Sequence, residues 1–169
     1  MRAIKRFFTI ISLAALTALA ASAQTNLTST DGTRIDVQGQ RGKVVVLAIG
    51  ASWLPLSNVQ ADYTNMLAKK YAGREVAVYY VVTDSSNSRS KSFADDNAVK
   101  KFALQNKLGN VMVLRDYDGA ATLQKFRIEQ VPSFVILDKN GAQVGDPFGG
   151  VDPKYDVTVP MSRVIDKLL

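Results

Sequence analysis

The chain has 169 residues, 21 lysines and arginines against 15 acidic residues, 47% apolar residues, and neither cysteine nor histidine. That length and apolar fraction suit one ordinary domain with a real core. The missing residues exclude disulfides, thiolate nucleophiles, thiolate or imidazole metal sites, and Ser-His-Asp hydrolysis. Carboxylate, lysine, tyrosine and serine are the chemistry that remains, and none titrates near neutrality unless strongly perturbed.

The chain opens on a targeting pattern. Arg2, Lys5 and Arg6 form a basic start, Phe7 to Ala20 is apolar apart from threonine and serine, and Ala21-Ser22-Ala23 is a small-x-small cleavage site before Gln24. Residues 1–23 therefore read as a secretory signal peptide and 24–169 as the working domain, exported to the periplasm or secreted. The competing reading, a membrane anchor, needs roughly 20 apolar residues, more than this stretch supplies. Cleavage removes three positive charges and lowers the net charge from +6 to +3. The remaining cations are scattered, and the pairs Lys69-Lys70 and Lys100-Lys101 fall on amphipathic helical patterns, which speaks against nucleic acid as a partner.

Thr33 to Val37 alternates polar and apolar residues and predicts a short strand. Gly39 to Gly42 is a loop, and Val44 to Ile49 is a strand apolar on both faces, as a central strand covered by helices requires. Val59, Tyr63, Met66, Leu67 and Tyr71 follow at helical spacing, with Pro55 near the first turn and Gly73 as the stop. Glu75 to Thr83 is a second buried strand, and Asp84 to Ser92 a polar, mobile surface loop. Asp95 and Asp96 open a helix carrying Val99, Phe102, Ala103 and Leu108. Asn110 to Leu114 is a strand, and Ala120 to Phe126 a short helix. Ser133 to Leu137 is a strand joined by an Asn140-Gly141 hairpin turn to a returning strand, Ala142 to Phe148. Pro160 to Leu169 forms the last helix. Helix-linked buried strands ending in a hairpin give an α/β sandwich with a mixed sheet.

Two segments resemble the TlpA-like members of the thioredoxin superfamily. Gly42 to Ser57 resembles the family's strand-to-helix junction, where tryptophan precedes two cysteines separated by two residues. Phe126 to Gly141 resembles its second hallmark, a proline with a cis peptide bond opening a strand that ends in an Asp-x-x-Gly hairpin. The resemblance spans about residues 27 to 169 and implies a thioredoxin-like three-layer α/β/α sandwich with a mixed central sheet. The cysteine positions, however, hold Leu54 and Ser57 in a Trp53-Leu54-Pro55-Leu56-Ser57 motif. Leucine can neither attack a disulfide nor leave one. Ala48 stands where thioredoxins keep a buried acid.

No catalytic residue is therefore assigned, and no cofactor or metal is expected. Asp116, Asp118 and Gly119 begin like a calcium loop but lack its terminal bidentate glutamate, so they read as a turn. Asn26-Leu27-Thr28 fits a glycosylation acceptor only in a eukaryotic secretory pathway. Ser57 has no evident base and reads as a helix N-cap or first-turn serine. The expected binding residues are Trp53, Leu54, Leu56, Val131, Pro132 and Ser133. A protein or extended peptide would bury the apolar turn and pair with the backbone at Val131. Two other roles for these residues stay open: the turn fills a former active-site depression, and Val131-Pro132 is a rigid turn. At the level of function the alternatives are a TlpA-like oxidoreductase with residual or partner-assisted activity and a structural subunit of an envelope complex.

Overall fold

The seven-residue strand Val44–Gly50 is buried along its entire length because it has a neighbour on each edge and a layer of side chains on each face. In this computed structural model, which describes residues 27–117 and 119–169, that strand is β3 of a seven-stranded sheet. The predicted signal peptide, Asn26 and Asp118 lie outside the described residues. Before it come β1 (Leu27–Ser29) and β2 (Arg34–Ile35); after it come α1 (Ser57–Lys70), β4 (Val76–Val82), α2 (Asp96–Gln105) and β5 (Met112–Arg115). The chain closes with α3 (Ala120–Lys125), β6 (Ser133–Leu137), β7 (Phe148–Gly149) and α4 (Thr158–Leu168). The strand order is β2-β1-β5-β4-β3-β6-β7, with β3, β4 and β5 parallel and the outer pairs antiparallel.

Alternation along β3 divides the core. Val44, Val46 and Ala48 face one cluster with Tyr80, Phe134 and Ile136, covered by Leu67 of α1, Phe102 of α2 and Ile165 of α4. Val45, Leu47 and Ile49 face the other, closed by Phe126, Ile128 and Val37 with Leu123 of α3 packed against it. Helices on both faces of a mixed sheet make the three-layer sandwich that the resemblance implied.

Four expectations need correction. The strand at 33–37 shrinks to Arg34–Ile35, because the Asp36 carboxylate accepts from Gln38 N–H (3.1 Å) and Gly39 N–H (3.0 Å) and turns the chain out of the sheet. The returning strand at 142–148 is reduced to a single bridge, Leu137 with Gln143, and the two-residue strand Phe148–Gly149. The turn forms as read, with Gly141 at φ +78° and Gly141 N–H donating to the Asp138 carbonyl. Gly145 at φ +69° and Pro147, which lacks an N–H, then break the ladder. Asp84, read as the first residue of a surface loop, is itself buried, while residues 86–89 and 91 of that stretch are exposed. Leu108 belongs to a separate 3₁₀ turn, Leu108–Asn110, beyond α2.

Candidate functional site

β3 runs out at Gly50, and the motif occupies two successive turns before α1. Leu54 N–H donates to the Ala51 carbonyl (3.2 Å) and Ser57 N–H to the Leu54 carbonyl (3.0 Å). This winding places Pro55 just ahead of the helix, near its first turn as the sequence read it, with Leu56 at the cap position and Ser57 as the first helical residue. The turns lift Trp53, 59% exposed, and Leu56, 37% exposed, onto the surface, with Leu54 half-buried between them.

Ser57 is fully buried, and its hydroxyl donates to the Ala51 carbonyl at 2.7 Å. It closes the turn from inside instead of capping the helix. A buried carboxylate holds the other side: Asp84, just beyond β4, accepts from Ser52 N–H (2.8 Å) and Ser52 Oγ–H (2.9 Å).

Beneath the motif lies a polar network that sequence reasoning missed. Gln60 is fully buried, and its Nε2 donates to the carbonyls of Ser133 (2.7 Å) and Ile49 (3.2 Å). Its Oε1 accepts from the Tyr80 hydroxyl at 2.9 Å. Burial pushes the Tyr80 phenol well above its ordinary range, so it is a donor and not a base at neutral pH. Gly50 makes the room, for a Cβ there would sit 2.4 Å from Gln60 Oε1 and 2.9 Å from the Tyr80 hydroxyl oxygen. Ala48, paired with Tyr80 across the β3–β4 ladder, is fully buried, so the acid position holds a methyl group. The signal for the network was present in α1. Gln60, Tyr63, Thr64 and Leu67 form the stripe that is buried, while Met66, read as part of the apolar face, is exposed.

The second predicted segment is brought to the same place. Ile49 of β3 pairs with Ser133 of β6, so the strand start at Pro132 lies alongside the exit of β3. The Val131–Pro132 peptide bond is cis. Pro132 and Ser133 are buried, Val131 is half-buried against the second core cluster, and Ser133 Oγ donates to the Gln130 carbonyl. Neither the N–H nor the carbonyl of Val131 is hydrogen-bonded to another described residue. The fold thus joins Trp53 to Ser57 and Val131 to Ser133 through Gln60 and the Ile49–Ser133 pair.

A buried arginine borders the site. Arg115, at the end of β5, donates from Nη1 to Asp96 (2.6 Å) and from Nη2 to the Ala94 carbonyl (2.6 Å) and the Asp84 carbonyl (3.4 Å). Its guanidinium carbon lies 4.6 Å from the centre of the Tyr117 ring. The arginine thereby ties the start of α2 to the loop that holds Ser52. Nothing in the local sequence marks a lone arginine at a strand end as buried.

Mixed sheet, flanking helices, exposed turn after the central strand and cis-proline loop beside it define a thioredoxin-like protein whose sulfur positions are apolar and hydroxylic. The Redoxin family model matches residues 15–159, and the chain belongs to that family. No curated protein sequence matches it. Among solved structures it is similar to MTB DsbF, at 20% identity and TM-score 0.67, over 86% of this chain and 96% of that one. It is also similar to a secreted Mycobacterium tuberculosis disulfide oxidoreductase homologous to E. coli DsbE, at 22% identity and TM-score 0.62, over 86% and 96%. A third similar structure is the exposed lipoprotein thioredoxin of Streptococcus pneumoniae, at 23% identity and TM-score 0.67, over 86% and 100%. Among the described residues, no helix is long and apolar enough to cross a membrane.

Proposed function

We propose that this redoxin-family protein is exported and acts by binding a protein or extended peptide, with no redox chemistry of its own. The observation that carries this is the adjacency of an exposed apolar turn, Trp53 to Leu56, to a strand start whose Val131 N–H and carbonyl have no partner within the described chain. An extended segment pairing with Val131 would satisfy both backbone groups and bury Leu54 and Leu56. Trp53, Leu54, Leu56, Val131, Pro132 and Ser133 form the surface. Export is supported by the targeting pattern in residues 1–23 and by neighbours described as secreted or exposed.

Leu56→Asp tests the surface: it places a charge where the partner would bury an apolar group, on an exposed position that the fold does not need. Capture of a partner from the native envelope should fall at least tenfold while the melting temperature stays within about 2 °C, in line with the small effect of surface substitutions. Undiminished capture would refute the site.

A second reading is favoured by the neighbours' description as disulfide oxidoreductases: partner-assisted thiol-disulfide activity. Insulin reduction with dithiothreitol separates the two. Binding alone leaves the rate at the uncatalysed background, and a protein-dependent acceleration would overturn the redox-inactive reading.

A further inference from the structure

We infer that the polar cleft beside the Pro132 loop receives a basic side chain, arginine or lysine, of the segment that docks on Val131. The inference rests on the docking reading above and gives it a chemical preference. The cleft has a volume of about 710 Å³, and Gln130 and Ser133, which bracket Val131 and Pro132, are among the residues that line it. Consecutive residues of an extended segment are about 3.3 Å apart, so a long side chain one or two positions from the pairing residue reaches into it.

Charge selects the class of side chain. Arg127, Glu129 and Asp146 line the cleft and are exposed, and none of them forms an ion pair or side-chain hydrogen bond with a described residue. Arg127 can neutralise one carboxylate, which leaves the cleft one cation short. An acidic side chain would add to the surplus, and an apolar one would meet only Pro147 among polar walls. A basic side chain supplies the missing charge.

Two further features keep the cleft open and its cation in place. Arg127 is the left-handed residue after α3, at φ +54°, and its N–H donates to the Gln124 carbonyl (3.2 Å) while Ile128 N–H donates to the Leu123 carbonyl (2.8 Å). On the opposite side Gly149 and Gly150 leave space for the Gln130 amide, for a Cβ on them would come within 3.0 Å and 2.7 Å of its Nε2.

The test is a random dodecapeptide display library selected on the purified protein and counter-selected on Leu56→Asp. Enriched peptides should carry arginine or lysine at a fixed offset from an apolar residue, and the synthetic peptide should shift the emission of Trp53, the one tryptophan of the chain. Exchanging its basic residue for glutamate should weaken binding at least tenfold. Glu129→Gln with Asp146→Asn should cut that discrimination below threefold. Leu56-dependent peptides without a basic preference would overturn the cleft assignment and leave the docking surface standing. Failure to enrich any Leu56-dependent peptide would overturn the docking reading and this inference with it.

Discussion

Replacing Gln60 by methionine preserves its length and removes all three of its side-chain hydrogen bonds. The Ile49 and Ser133 carbonyls both lie in the β3–β6 ladder, where the two residues pair; the Ser133 carbonyl loses the shorter of the two bonds, and the Tyr80 hydroxyl loses its short partner inside the core. A buried polar group left unsatisfied costs about 1–3 kcal/mol. Tyr80 recovers part of this from the Ser57 carbonyl, 3.4 Å away. The expected loss is therefore about 2–4 kcal/mol. For a domain of this size that is a fall in melting temperature of roughly 5–15 °C. Urea unfolding followed by circular dichroism measures it as a lower midpoint at constant m-value. Tyr80→Phe completes the cycle: once the hydroxyl is gone, Gln60→Met should cost about 1 kcal/mol less than in the wild type. Destabilisation below about 0.5 kcal/mol, or strict additivity of the two substitutions, would refute the claim that this network fastens the two loops.

Other outcomes follow from backbone and surface features. Gly141→Ala should cost several times what Gly73→Ala costs. Both glycines have positive φ, but a Cβ at 141 would lie 2.1 Å from the Gln38 carbonyl oxygen and one at 73 would meet nothing; equal costs in urea unfolding would contradict this. Arg127→Gly should stabilise the fold by up to about 1 kcal/mol, since glycine is the ordinary residue at that left-handed helix-end position, and a lower unfolding midpoint would disprove it. Asp31 accepts hydrogen bonds from the Ser29 hydroxyl and Thr33 N–H, the first being the larger cause, and these hold its pKa down to about 2. Because the folded value lies below the unfolded one, its contribution is complete above about pH 4 and is lost as pH falls toward 2. Carboxyl NMR should show that midpoint in the wild type and a return toward the ordinary value in Ser29→Ala.

The sequence was legible where a pattern repeated or a turn residue was unambiguous. The apolar run through β3, the Asn140-Gly141 turn and the Asp95 cap, which accepts from Ala98 N–H at 2.7 Å, all stand where their chemistry put them. β1 escaped because three residues show no periodicity, and the returning strand was overread because the Asn140-Gly141 turn implied a full hairpin partner that Gly145 and Pro147 do not permit. At the site, Trp53, Ser57 and Pro132 were found through local motifs. Gln60, Tyr80, Asp84 and Arg115 were not, since their importance comes from partners 20 or more residues away in most cases, as in the 73-residue separation between Gln60 and Ser133.

The bond pair from Ser52 to Asp84 governs how a partner would arrive. Because both donors of that residue are already engaged, the tryptophan turn stands at attention before any encounter, and little freedom remains to be surrendered on contact. On the proposed reading, association at this face would be governed by collision and orientation, not by a folding step, and tightness among related partners would be written in how long they stay.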